Sequence, residues 1–273
     1  MVEPVVDFGW LQEHRSEVIV ADVRWYLDGR SGRKAYEEGH IPEAVFVDLE
    51  TWLSGQGGTD FGRHPLPSPS HFAQGMAQIG IGDGATVIAY DDAGGVIAAR
   101  LVWMLRALSE NAALLNGGIQ MYNGSLQTGS HVRPAANFSA RSWPANRLAN
   151  IDEASDFKNV VIDARNRDRY RGEADPVDPR PGHIPGAINV PCRENLNVDG
   201  TFLPLQILKE RFEEAGVREG EDVISYCGSG VTACHNLLAI EFAGLGQGRL
   251  FPGSWSQYTH EVDRAVSTGS EPK

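Results

Sequence analysis

The sequence predicts an α/β protein made of two tandem copies of one domain, each a mostly parallel sheet flanked by helices. Three observations carry the prediction. Four segments recur in the same order in the two halves of the chain. Within each half, short β-branched apolar runs alternate with segments of helical periodicity. A tight loop joins run to helix, which is the pattern of a parallel sheet covered on both faces.

The elements follow in chain order. "VIVADVRW" (Val18–Trp25) is matched by "VVIDARN" (Val160–Asn166), and both read as strands. "GHIPEAVFVDL" (Gly39–Leu49) is matched by "GHIPGAINVPC" (Gly182–Cys192). "GATVIAYDDAGGVIAARL" (Gly84–Leu101) is matched by "GEDVISYCGSGVTACHNL" (Gly220–Leu237). Each is a strand, a tight loop and the start of an apolar helix. The helices run through "VIAARLVWMLRAL" and "ACHNLLAIEFAGL", and Gly244 is a natural C-terminal stop. "LLNGGIQMY" (Leu114–Tyr122) is matched by "LFPGSWSQY" (Leu250–Tyr258). The expected division is a first domain over 1–130, a Pro/Ser/Asn-rich linker over 131–149 and a second domain over 150–273.

Composition narrows the partners. A formal charge of −12 on 273 residues argues against nucleic acid and anionic membrane surfaces, which need a basic face. No apolar run is long enough to span a bilayer, and the first residues lack a secretory pattern. Three cysteines do not make a disulfide framework, so a reducing, cytoplasmic setting is expected. No Cys/His spacing suggests zinc, and no cofactor motif is present.

The repeat serves as an internal control, because features shared by both copies belong to the fold. His40 and His183 of the "GHIP" segments are therefore expected to tie a turn, and Arg24 and Arg165 to pair a local carboxylate. The differences point to function. Cys227 stands opposite Asp91. Counting along the chain puts Arg169 opposite Asp28 and Arg180 opposite Glu37. The second copy has a thiol or a cation where the first has a carboxylate, so it reads as the working copy, suited to an anion.

Cys227 ends a strand, and "GSGVT" must turn sharply before a helix that starts near Thr232 or Ala233. Glycines at 228 and 230 permit positive φ, and such a loop can aim successive backbone N–H groups inward as an anion nest. Gly228, Gly230, Val231 and Thr232 would line it, with hydroxyls from Ser229 and Thr232. Two chemistries suit a cysteine there, phosphate ester cleavage and sulfur transfer through a persulfide. The phosphatase loop places an arginine six residues after its cysteine, and here that residue is Ala233. A persulfide sulfur needs several N–H donors and little room, which favours sulfur transfer. Cys192 and Cys234 read as packed small residues.

"CGSGVTA" after a strand, two "GHIP" segments and the repeated domain resemble the two-domain rhodanese-type sulfurtransferases. The resemblance implies an enzyme with a catalytically silent first domain, Asp91 standing where Cys227 does. It implies a ping-pong cycle in which Cys227 takes sulfur from a small anionic donor and passes it to cyanide or a thiol acceptor such as thioredoxin. "CGSGVT" is similar to the loop of the 3-mercaptopyruvate sulfurtransferases. That likeness implies that Arg169 and Arg180 hold the donor carboxylate and ketone. It also implies a proton relay of Ser229, His64 and Glu50; the last two lie in the first copy, so the relay would draw on both copies. The alternatives are a thiosulfate:cyanide sulfurtransferase of the same fold and, from another class, a persulfide carrier or interaction module.

Overall fold

The computed structural model describes residues 1–175, 177–219 and 222–272. Gly220 and Glu221, which open the second copy of the Cys227 segment, lie outside the described residues. The chain forms two compact units. The first comprises 1–55, 67–143 and 196–202, and the second comprises 56–66, 144–195 and 203–273. The stretch expected as a linker thus divides between the units after Trp143. Its first part bonds within the first unit, Ala136 N–H donating to Ala77 O and Asp83 N–H to Asn137 O (2.9 Å each).

In the first unit, β1 (Val5–Val6), β2 (Val18–Asp22), β3 (Val45–Phe46), β4 (Thr86–Tyr90) and β5 (Ala112–Leu115) form a wholly parallel sheet in the order β1-β5-β4-β2-β3. Helices α1 (Phe8–Glu13), α2 (Gly32–Glu38), α3 (Leu49–Trp52), α4 (Pro69–Gln78) and α5 (Ala99–Ala107) accompany it. The strands are continuous apolar runs, as a sheet buried on both faces requires. Every residue of α5 is buried, including Arg100 and Arg106.

The second unit repeats the plan. Strands β6 (Val160–Asp163), β7 (Ile188–Asn189), β8 (Val223–Tyr226) and β9 (Arg249–Leu250) run parallel in the order β7-β6-β8-β9. A parallel bridge from Leu148 to Leu250 stands where β1 stands in the first unit. Its helices are α6 (Arg167–Arg171), α7 (Leu205–Glu214), α8 (Ala233–Phe242) and α9 (Ser254–Tyr258). Trp255, Phe251, Tyr226 and Ile184 are among its core. Among the described residues, no helix is long and apolar enough to cross a membrane.

The shared residues do structural work, as the internal comparison predicts. Arg24 binds Asp22 through Nε and Nη2 and donates to Gly39 O; Arg165 binds Asp163 and donates to Gly182 O (2.7 Å in both copies). His40 and His183 donate from Nδ1 to the carbonyls of Tyr36 and Tyr170 and stack on those rings at 4.0 and 3.7 Å.

These tyrosines also correct the pairing of the copies. Tyr36 and Tyr170 donate their hydroxyls to Ala44 O and Ala187 O, so they are true counterparts. On that register Arg169 stands opposite Ala35, not Asp28. Arg180 falls in a stretch the first copy lacks, since Tyr170 precedes its histidine by 13 residues and Tyr36 by 4. Counting from Arg24 failed because the first copy carries the longer loop before its tyrosine, and the second copy the longer loop after it.

Candidate active site

The loop from Cys227 to Thr232 joins β8 to α8, and the 251–256 turn braces it. Cys227 N–H donates to Ser254 Oγ (3.1 Å), which donates to Phe251 O (2.9 Å). Trp255 N–H and Ser256 N–H donate to the carbonyls of Cys227 and Gly228 (3.0 and 2.8 Å). Ser254 pays a conformational price for its place, lying in the left-handed region with φ 51°. Gly230 also lies there, with φ 81°, and a Cβ on it would stand 2.5 Å from Pro252 O. Its N–H donates to Cys227 Sγ (3.1 Å). Cys227 is buried, 2% exposed.

Gly228 is small for a reason other than φ. A Cβ there would lie 3.2 Å from Arg63 Nη2 and 3.3 Å from Arg169 Nη1. Two guanidiniums therefore lie against the loop at the residue after Cys227, and neither belongs to the loop. Asp178 joins them, Oδ2 accepting from Arg169 Nη2 (2.8 Å) and Oδ1 from Arg63 Nη1. Asp175 also accepts from Arg169 Nη2 (3.1 Å) and lies 3.4 Å from Arg165 Nη1.

His64 Nδ1 lies 2.7 Å from Ser229 Oγ. His64 and Arg63 precede α4 in sequence, yet the 56–66 segment belongs to the unit of Cys227. There Arg63 N–H donates to Ser256 Oγ (3.0 Å), and Gln257 Nε2 donates to Asp60 O (2.8 Å). Arg63, His64, Ser256 and His260 are among the lining of a cavity of about 500 Å³.

The structure gives Arg180 partners outside the loop. Arg180 donates from Nη1 and Nη2 to the carbonyls of Glu261 and Arg264 (3.1 and 2.7 Å), so its charged end serves the C-terminal segment. Glu50 is exposed in the first turn of α3, and its Oε1 accepts from Trp25 Nε1 (2.9 Å) within the first unit. Val231 packs inward, and Thr232 stands at the N-cap position of α8 without a side-chain capping bond. Cys192 is buried; burial pushes its thiol up to about 12, against the Arg193 charge and the Thr232 hydroxyl. Cys234 is buried on α8, its Sγ donating to Gly230 O (3.4 Å).

The first unit holds the matching loop with Asp91 at its head. The Asp91 carboxylate is fully buried and accepts four backbone N–H groups, from Ala93, Gly95, Ile97 and Ala98, at 2.7–2.9 Å. Burial pushes its carboxyl up, and those four amides oppose the shift. Gly94, three residues after Asp91, has φ 75°, as Gly230 has 81° three residues after Cys227. Among the described residues, no group of three or more His, Cys, Asp or Glu side chains is placed to hold a metal ion.

Reading from sequence missed Arg63, Asp178 and Ser254. Ser254 had a signal, since the matched segments put Gly118 opposite it. Arg63 had only its place beside His64, and Asp178 only its place in the stretch peculiar to the second copy.

Comparison with known proteins gives the family of the fold. The rhodanese-like domain matches twice, over residues 8–125 and 144–261. A Pseudomonas aeruginosa protein provisionally named 3-mercaptopyruvate sulfurtransferase is 40% identical, covering 93% of each chain. A Mycobacterium tuberculosis protein provisionally named thiosulfate sulfurtransferase SseB is 38% identical over 93% of this chain and 92% of its own. The structure of 3-mercaptopyruvate sulfurtransferase from Leishmania major superposes with a TM-score of 0.84 at 30% identity, covering 94% of this chain and 74% of that one.

Proposed function

The chain belongs to the family of rhodanese-like domain proteins, and from that premise we propose that it is a sulfurtransferase. It moves a sulfur atom from 3-mercaptopyruvate through a Cys227 persulfide to a thiol, such as a thioredoxin-type dithiol, or to cyanide. The observation that carries the reading is the Asp91 nest. The carboxylate oxygens of Asp91 lie two bonds from Cβ and hold four amides. The terminal sulfur of a persulfide on Cys227 also lies two bonds from Cβ. The silent copy thus carries a built-in carboxylate where the working copy would carry the persulfide anion. A loop that turns through Gly230 and already offers its N–H to Sγ supplies the same kind of donors.

In the first half-reaction the Cys227 sulfur attacks the donor sulfur. The S–S bond forms, the donor C–S bond breaks, and its electron pair leaves on carbon as the enolate of pyruvate. The donor thiol proton ends on that carbon, and the contact between Ser229 and His64 supports that pair as its carrier. Arg169 binds the donor carboxylate. In the second half-reaction an acceptor thiolate or cyanide attacks the terminal sulfur and frees Cys227. The Mycobacterium relative's name supports a second reading, with thiosulfate as donor.

The test is Cys227→Ser. Intact-protein mass spectrometry after donor treatment should find wild type heavier by one sulfur atom and the variant unchanged. A variant that still turned over would overthrow the assignment. The ratio of kcat/KM for mercaptopyruvate and thiosulfate then decides between the donors.

A further inference from the structure

We propose that Asp178 and Arg63 set the charge of the donor that the site accepts. The inference rests on the sulfurtransferase reading and deepens it. Asp178 gives one carboxylate oxygen to Arg63 Nη1 and the other to Arg169 Nη2. It therefore fixes the two guanidiniums side by side as one unit. The nitrogens nearest Gly228 include Arg63 Nη2 and Arg169 Nη1, which Asp178 does not use. Two N–H-bearing nitrogens from two arginines, both against the residue after the nucleophile, match the two oxygens of one carboxylate. Arg169 Nε is buried and has no partner among the described residues, so this guanidinium is not saturated by protein acceptors.

The charges decide what the clamp accepts. Arg63 and Arg169 are balanced by Asp175 and Asp178, whose side chains are 1% and 0% exposed. The Arg169 and Arg63 side chains are 19% and 32% exposed, so solvent screens this partly buried cluster less than it would surface charges. A monoanionic carboxylate can use the N–H groups that Asp178 leaves while adding one charge to a neutral cluster. Thiosulfate adds two, and no uncompensated cation in the cluster meets the second. Asp178 is thus a positioning residue that lowers the site's preference for dianions, and Arg63 supplies the second arm of the clamp. Asp175 holds Asp178 in place by accepting its N–H (3.1 Å).

The first measurement needs no turnover. Iodoacetate and iodoacetamide are nearly isosteric and differ by a carboxylate against a carboxamide, and both alkylate Cys227. Their rate ratio reports the clamp, while any general change in the thiol cancels. Arg63→Gln should lower the iodoacetate-to-iodoacetamide ratio by roughly tenfold, the low end for one charge-assisted hydrogen bond. Arg63→Lys keeps the charge without the fork and should lower it less. If Arg63→Gln fails to fold, Arg63→Lys decides, and an unchanged ratio there overturns the clamp. The second measurement is donor choice. Asp178→Asn removes one negative charge and should shift kcat/KM toward thiosulfate over mercaptopyruvate by roughly tenfold. A ratio that stays within twofold of wild type in Arg63→Gln, or a donor preference unmoved in Asp178→Asn, overturns the proposal. If wild type loads no sulfur from either donor, the sulfurtransferase reading fails, while the alkylation ratio still decides the clamp.

Discussion

Ser254 shows how one residue can hold a nucleophile. Its backbone is left-handed, with φ 51°, where its counterpart Gly118 has φ 65° without a side-chain cost. A serine is kept there because its Oγ receives the N–H of Cys227. Alanine would keep the strain of about 1–2 kcal/mol and leave that buried N–H without its acceptor, at about 1–3 kcal/mol. Glycine would lose the acceptor but release the strain. Ser254→Ala should therefore unfold at a lower urea midpoint than Ser254→Gly, and the two should differ by about 1–2 kcal/mol. An alanine variant as stable as wild type would refute this role. Gly228 makes a related point, since its missing side chain gives two guanidiniums access to the loop, and its backbone does not need positive φ.

At the scale of elements, the two strand–loop–helix units differ in what fills the loop. Periodicity extends the helix after β4 back to Val96, yet α5 begins at Ala99. The amides of Ile97 and Ala98 are turned to Asp91, which delays the helix. Asp91→Asn replaces one acceptor oxygen by an NH₂ group that cannot accept. Each amide then left unpaired costs on the order of 1–3 kcal/mol, so the variant should show a clearly lower urea midpoint by circular dichroism. Below that transition it should still load one sulfur on Cys227. Loss of loading in the folded variant would mean that the first copy takes part in the chemistry.

At the scale of the molecule, a net charge of −12 coexists with two guanidiniums against Gly228 that buried aspartates balance, so anion binding here depends on the local placement of N–H groups and not on net charge. Each copy also yields a segment to the other unit: 56–66 is counted with the second and 196–202 with the first. The unit that holds Cys227 is therefore incomplete without residues from before α4, among them His64 and Arg63. A fragment of residues 144–273 should keep the cysteine but take up little sulfur from mercaptopyruvate. Tryptophan fluorescence would report its folding and mass spectrometry its loading. Loading at the wild-type rate would show that the 56–66 segment is dispensable.

The sequence by itself determined the repeated parallel α/β architecture, the structural work of the "GHIP" histidines and the strand-end arginines, and the contrast of Cys227 with Asp91. These are local or periodic features, and comparing the copies exposes them. The pairing of Ser229 with His64 was also legible, though only through resemblance to a family. Tertiary structure alone decided that Arg63 joins Arg169 against the loop. Arg180 looked apt by its distance along the chain, but the backbone carbonyls of Glu261 and Arg264 take its guanidinium. Arg63 looked unremarkable, but the 56–66 segment folds into the unit of Cys227 and Asp178 pins its guanidinium. The physical reason is range: hydrophobic periodicity and turn chemistry act over a few residues, whereas the Arg63–Asp178 bond closes across 115 positions of chain that no local pattern encodes.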